Sequence, residues 1–121
     1  MTDLFSLSGK VALIAGATRG IGWAITKSMA EAGATVVLNG RDSAKLAERV
    51  AELGKLGYAA SSVAFDVTDE AAAVSAVADI SAKHGRLDVL VVNAGTTIRA
   101  KLADHTTEDF LKVINTNLTA A

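Results

Sequence analysis

Short runs rich in β-branched residues alternate along this chain with longer stretches of helical periodicity, and this alternation constrains the fold most strongly. The runs predict four strands with these bounds: Val11–Ala15, Thr35–Asn39, Ser62–Asp66 and Val89–Val92. The longer stretches predict helices at these positions: Ile21–Ala32, Ala44–Leu56, Asp69–Lys83 and Thr107–Leu118. Strands that alternate with helices are typical of successive βαβ units, which build a parallel sheet.

The order of the strands follows from the usual handedness of such units. Right-handed crossovers place them in the order 3-2-1-4, half of a doubly wound, Rossmann-type α/β sheet with flanking helices. We expect every strand to be apolar on both faces, because helices cover both sides of such a sheet. Gly33 and Gly57 predict left-handed helix ends, and Thr68 and Thr106 predict helix N-caps. With 121 residues, half of them apolar, residues 1–121 suffice for one nucleotide-binding domain.

Composition argues against several classes of partner. The formal net charge is -1 at pH 7, and the sequence has no polybasic segment and no apolar run of about 18 residues. We therefore expect no nucleic-acid partner and no membrane association. The sequence contains no cysteine, which excludes disulfides and thiolate metal sites, and we expect no metal. A cytoplasmic location is expected, because the first residues do not resemble a secretory leader.

A glycine-rich turn lies between the first strand and the first helix, within LIAGATRGIGWAI, Leu13–Ile25. A helix N-terminus presents unpaired N–H groups and a partial positive charge, so it binds phosphate where the loop permits close approach. Gly16, Gly20 and Gly22 would permit that approach. Their spacing, G-x-x-x-G-x-G, differs from the G-x-G-x-x-G dinucleotide fingerprint but occupies its place. A tight strand-to-helix turn without a ligand is the alternative.

The end of the second strand, VVLNGRD, indicates which dinucleotide would bind. Asn39 and Gly40 stand where an NAD-binding unit usually carries a carboxylate for the ribose 2′-hydroxyl. Arg41 follows, and Arg19 lies in the glycine turn. Two guanidinium groups without that carboxylate suit a 2′-phosphate, so NADP is predicted, with NAD possible. The alternatives are that both arginines are solvated surface residues, or that Asp42 serves a ribose.

Four separated motifs resemble the short-chain dehydrogenase/reductase family. They are AGATRGIG in the glycine turn, FDV after the third strand, VVNAG at the end of the fourth and VINTNLTA in the last helix. They occur in the family's order and extend over essentially the whole chain. The resemblance implies an NAD(P)-dependent oxidoreductase that acts on a small alcohol or carbonyl compound. It also implies a homo-oligomer, dimer or tetramer, for the full-length form.

The resemblance also implies roles for individual residues. Ile21 would close over the pyrophosphate, Asp66 would accept a hydrogen bond from the adenine amino group, and Asn117 would position a water in a proton relay as the catalytic candidate. The residues expected to bind the cofactor are Gly16, Thr18, Arg19, Gly20, Ile21, Gly22, Arg41, Asp66, Val67, Asn93, Ala94 and Gly95. The alternatives are a helix-capping role for Asp66 and an ordinary polar helix position for Asn117.

The substrate is suggested by a basic residue after NAG, Arg99, which would meet the carboxylate of a sugar acid. Two further segments, DLFSLSGK at the start and VVLNGR after the second strand, support the same substrate class. Together with Arg99 they make the chain most similar to family members that act on sugar acids such as gluconate. Reductases of 3-oxoacyl thioesters share most of this pattern and remain an alternative, as does a solvent-facing Arg99.

The sequence departs from the family's pattern in three respects. Ala15 stands where the family usually has Thr, whose hydroxyl helps tie the glycine loop to the fourth strand, and Val92 stands where it has Asn. Tyr58 is the single tyrosine, and Ser62, rather than the family's catalytic lysine, lies four residues later. We therefore expect a truncated, cofactor-binding half that is inactive by itself. A non-catalytic dinucleotide-binding module and an element that pairs with another chain are the alternatives.

Overall fold

The computed structural model describes residues 4–93, 95, 104 and 106–119. The strands, in chain order, are β1 Val11–Ala15, β2 Thr35–Gly40, β3 Ala60–Ala64 and β4 Val89–Val92. The helices are α1 Gly20–Glu31, α2 Ser43–Lys55, α3 Glu70–His84 and α4 Thr107–Ile114, and α4 continues into a π-helical turn, Asn115–Thr119. In the described part of the chain, the predicted alternation of strands and helices is confirmed.

The sheet is parallel throughout and has the order β3-β2-β1-β4, as predicted. Leu13 at the centre of β1 lies opposite Val37 of β2 and Leu90 of β4. The carboxyl ends of all four strands therefore lie at one edge of the sheet. In open α/β sheets this is the edge where ligands bind.

The core lies on both faces of β1 and β2. On one face, strand residues pack with Trp23 of α1 and with Leu46 and Leu53 of α2. On the other face, Ile80 of α3 packs against Val11, Leu13 and Val37. The apolar side chains of these two strands are withdrawn from water, which is the main stabilising contribution of such a sheet.

The expectation that all four strands are covered on both faces is wrong for β3 and β4. Leu90 and Val92 of β4 are 59% and 49% exposed, and every residue of β3 is half-buried or exposed. The reason is that α3 packs over the centre of the sheet, whereas α4 contributes no buried residue. Among the described residues, no helix is long and apolar enough to cross a membrane.

The helix ends agree with the sequence in most respects. Gly33 and Gly57 have positive φ angles of 104° and 85°, as predicted for left-handed helix ends. Thr106 caps α4 by accepting a hydrogen bond from a first-turn N–H group. The predicted cap at Thr68 is wrong, because the Asp66 carboxylate binds the Thr68 hydroxyl and Asp69 caps α3 instead.

The third strand is displaced from its predicted position. It begins and ends two residues earlier than Ser62–Asp66, because its register pairs Val36 with Ala60 and Gly40 with Ala64. Asp66 therefore lies beyond the strand, in the turn that leads to α3.

Candidate functional site

A cleft of about 680 Å³ opens where the carboxyl ends of the strands meet the glycine loop, which we define as residues 16–20. Its walls are the glycine loop, the turns after β2, β3 and β4, and the end of α4 with its π-helical turn. Many residues expected to bind the cofactor line this cleft: Gly16, Thr18, Arg19, Arg41, Asp66, Val67, Asn93 and Gly95.

The glycine loop lies directly against the start of α1. A Cβ atom on Gly22 would lie 1.9 Å from the carbonyl oxygen of Gly16 and 2.7 Å from Nδ2 of Asn93. Gly16 and Gly20 have positive φ angles of 72° and 59°, a region that other residues rarely adopt. The sharp turn and the close approach therefore both require glycine.

Asn93 ties the loop to the end of β4. Its side-chain amide donates a hydrogen bond of 3.3 Å to the carbonyl oxygen of Gly16, and its backbone N–H donates to the carbonyl oxygen of Ala15. The family's threonine hydroxyl is absent at Ala15, but the first of these hydrogen bonds still joins the loop to the end of β4, and the second joins β1 to it.

The N-terminus of α1 is suited to an anion. Its N-cap residue, Arg19, makes no side-chain capping bond, and the first turn contains no acidic residue. The other three described α-helices are capped by the side chains of Asp42, Asp69 and Thr106. A Cβ on Gly20 would meet nothing within 4 Å. First-turn N–H groups have no partner within a helix, and the open space beside Gly20 would admit a phosphate to them.

Asn39, at the end of β2, has a structural role that the sequence did not reveal. The residue is 1% exposed, and its side-chain amide donates to the carbonyl oxygens of Val63 and Phe65 at 3.3 and 3.1 Å. The backbone carbonyl oxygen of Asn39 accepts a hydrogen bond from the backbone N–H of Ala17. Asn39 therefore joins β2 to the end of β3 and to the glycine loop.

Four cations line the cleft: Arg41 and Lys45 follow the end of β2, Arg19 lies in the glycine loop and Lys112 lies in α4. The Arg41 side chain is 75% exposed, and its Nη1 lies 3.7 Å from Oδ2 of Asp66. Lys45 was missed in the sequence, although it lies one helical turn after Arg41. Asp42 also lines the cleft, but its Oδ1 caps α2 by accepting from the N–H of Lys45 at 3.1 Å.

Asp66 does not cap α3, the role that was the alternative to adenine binding, because Asp69 caps that helix. The Oδ1 of Asp66 accepts hydrogen bonds from the backbone N–H and the hydroxyl of Thr68, at 2.9 and 2.7 Å. These two bonds, and then the charge of Arg41, hold the pKa of the Asp66 carboxyl below its ordinary value. The carboxylate is therefore ionised at neutral pH, with Oδ2 directed toward Arg41.

The remaining candidates are less closely associated with the cleft. Ile21 is 71% exposed and is not among the described lining residues. Asn117 lies in the π-helical turn, where its Oδ1 would be 3.3 Å from a Cβ on Gly95. Ala94 and Arg99 lie outside the described residues. Tyr58 precedes the amino end of β3 and packs against the core, at the end of the sheet opposite the cleft.

Comparison with known proteins agrees with this geometry. The family model described as short chain dehydrogenase matches residues 10–121. Gluconate 5-dehydrogenase of Gluconobacter oxydans is 43% identical over 118 residues, which are 98% of this chain and 46% of that protein. The 2-dehydro-3-deoxy-D-gluconate 5-dehydrogenase of Formosa agariphila is 39% identical over 117 residues, 96% of this chain and 44% of that protein.

A solved structure is also similar. It is a gluconate 5-dehydrogenase from Burkholderia cenocepacia in complex with NADP and tartrate, and it aligns with a TM-score of 0.88 at 37% identity. The alignment covers 96% of this chain and 46% of that one. The chain thus spans about half the length of the relatives it matches. On the match of the family model and of these relatives, the chain belongs to the short-chain dehydrogenase/reductase family.

Proposed function

We propose that residues 1–121 form the cofactor-binding domain of an NADP-preferring oxidoreductase. The full enzyme would transfer hydride between the nicotinamide and an alcohol or carbonyl group of a polyol or sugar acid. One observation carries the cofactor preference: Arg19, Arg41 and Lys45 line the cleft beside the end of β2, and Asn39 replaces the usual carboxylate there. An added phosphate would gain charge-assisted hydrogen bonds at this position.

The described residues fit such a cofactor along the cleft. The glycine loop and the uncapped start of α1 would hold the pyrophosphate through backbone N–H groups. Arg41 would move away from Asp66 and bind the 2′-phosphate. The Asp66 carboxylate would then be available to the adenine amino group. Bound NADP supplies the hydride acceptor, and NADPH the donor.

A sugar-acid substrate is supported by the names of the relatives, which include gluconate and 2-dehydro-3-deoxy-D-gluconate 5-dehydrogenases. The tartrate in the Burkholderia cenocepacia complex is a hydroxy acid of related chemistry. Arg99 is proposed to bind the substrate carboxylate, and Asn117 to position a water in the proton relay.

We also propose that the full-length enzyme is a cytoplasmic homo-oligomer. The proposal is supported by exposed apolar side chains on α4 and the turn that follows it, where Phe110, Leu111 and Leu118 are 63%, 57% and 70% exposed. Apolar surface of this kind is typical of protein interfaces.

The first test is calorimetric titration of the purified chain with NADPH and with NADH. We expect tighter binding of NADPH, and Arg41→Ala should weaken NADPH binding roughly 5- to 30-fold while it changes NADH binding less than about twofold. Lys55→Ala, at the exposed last turn of α2, is the matched control for loss of one positive charge. Equal effects of Arg41→Ala on the two cofactors would contradict the proposed role of Arg41.

The substrate is tested with the full-length enzyme. Oxidation of gluconate with NADP is expected, and preferential reduction of a 3-oxoacyl thioester with NADPH would support the alternative substrate class. Binding of NADPH without turnover of either compound would indicate a non-catalytic dinucleotide-binding module.

A further inference from the structure

Arg49 of α2 connects three parts of the protein at the rear of the glycine loop. Its Nε donates a hydrogen bond of 2.9 Å to the carbonyl oxygen of Thr18, 31 positions earlier in the chain. Its guanidinium carbon lies 4.3 Å from the centre of the Trp23 ring. Its Nη1 lies 3.1 Å from a carboxylate oxygen of Glu52. The Arg49 side chain is only 19% exposed, so water weakens these contacts less than it would at the open surface.

The two groups that Arg49 contacts outside its own helix flank the turn where a phosphate would bind. Thr18 lies in the middle of the glycine loop, and Trp23 lies in the first turn of α1, where its N–H donates to the carbonyl oxygen of Arg19. Trp23 is 8% exposed and belongs to the core. One guanidinium group therefore joins the glycine loop to a buried residue of the core.

The loop needs such a contact because its backbone is intrinsically flexible. Gly16 and Gly20 bound it on either side, and glycine loses more conformational freedom on ordering than any other residue. The methyl group of Thr18 fits over Gly40, where a Cβ would lie only 3.2 Å away. This methyl contact is non-directional, whereas the hydrogen bond from Arg49 also fixes the orientation of the Thr18 peptide.

We propose that Arg49 is a positioning residue for the cofactor pyrophosphate, which it serves by holding the glycine loop rather than by touching the ligand. The inference rests on the proposed function, since it concerns the same site. Lysine would not replace arginine here, because a single ammonium group lacks the planar fork that contacts Thr18, Trp23 and Glu52 together.

The first experiment needs no cofactor. Hydrogen exchange of backbone amides would be measured in the unliganded wild type, Arg49→Lys and Glu52→Gln. We expect roughly tenfold faster exchange at the hydrogen-bonded amides of Ala17 and Trp23 in Arg49→Lys, with unchanged exchange in β1 and β2. Glu52→Gln keeps the contact with Thr18 and should change loop exchange less than about twofold. Unchanged loop exchange in Arg49→Lys, or a uniform increase over the whole chain, would overturn the proposal.

The second experiment separates the pyrophosphate from the 2′-phosphate. NADPH carries both groups, whereas adenosine 2′-phosphate lacks the pyrophosphate. Arg49→Lys should weaken NADPH binding about 5- to 10-fold and the binding of adenosine 2′-phosphate, for which Arg41 and Lys45 lie outside the loop, by less than about twofold. Equal losses for both ligands would contradict a role at the loop. If the wild type bound neither ligand, the proposed function would fail, and the exchange result would still decide whether Arg49 holds the loop.

Discussion

Replacement of Gly22 by alanine would place a methyl group in the closest backbone contact of the candidate site. The new Cβ would lie 1.9 Å from the carbonyl oxygen of Gly16 and 2.9 Å from its carbonyl carbon. Since ordinary contacts begin near 3.5 Å, the start of α1 and the glycine loop must separate by roughly 1.5 Å. Both groups belong to the backbone, so rotation of a side chain cannot relieve the contact.

The net change in stability combines two losses and one gain. Overpacking of this kind costs about 1–3 kcal/mol, and the contact here is among the most severe. Separation of the loop from the helix would also break the hydrogen bond between Asn93 and Gly16, worth about 1 kcal/mol. Alanine has a helix propensity about 1 kcal/mol better than glycine, which offsets part of this loss. We expect a net decrease of about 2 kcal/mol in the free energy of unfolding.

The assay is urea denaturation followed by the fluorescence of Trp23, the single tryptophan. Gly54→Ala is the matched control, because a Cβ there meets nothing within 4 Å and the residue lies inside α2. This control should raise the free energy of unfolding by about 0.5–1 kcal/mol. The same chemical change is thus expected to have opposite signs at the two positions. Stabilisation by Gly22→Ala as large as that by Gly54→Ala would refute the close approach.

Three further predictions concern stability. Hydrogen bonds from the side chain of Arg86 and from the backbone N–H of Val11 lower the pKa of Asp88 to about 2. Between these pH values the unfolded chain therefore binds more protons than the folded chain, and stability is lost as pH falls from about 4 toward 2. Asp88→Asn should remove this part of the acid sensitivity, as measured by urea titrations at several pH values. Asn39→Asp should lower the free energy of unfolding by about 3 kcal/mol at pH 7, because a buried carboxylate would face two carbonyl oxygens. An unchanged midpoint of urea denaturation would contradict this. Asp69→Ala removes the N-cap of α3 and should cost about 1 kcal/mol, measured in the same way, with Asp79→Ala in the same helix as the control.

The sequence was sufficient to predict the order of the elements and the parallel sheet. Strands such as β1 and helices such as α2 have apolar patterns that are visible within one short segment, and right-handed crossovers then restrict the strand order. The requirement for glycine at Gly16 and Gly22 also follows from the local turn between a buried strand and a helix. These features depend on neighbouring residues, so they are readable without a structure.

Only the tertiary structure decided which polar groups hold the site together. Arg49 reaches Thr18 and Asn39 reaches Phe65 across 31 and 26 positions of the chain, and nothing in the local pattern pairs these residues. The uncovered face of Leu90 likewise depends on where α3 and α4 pack, not on its own segment. Local periodicity determines which face of an element is apolar, whereas the partner of each face is determined by how the elements pack together in three dimensions.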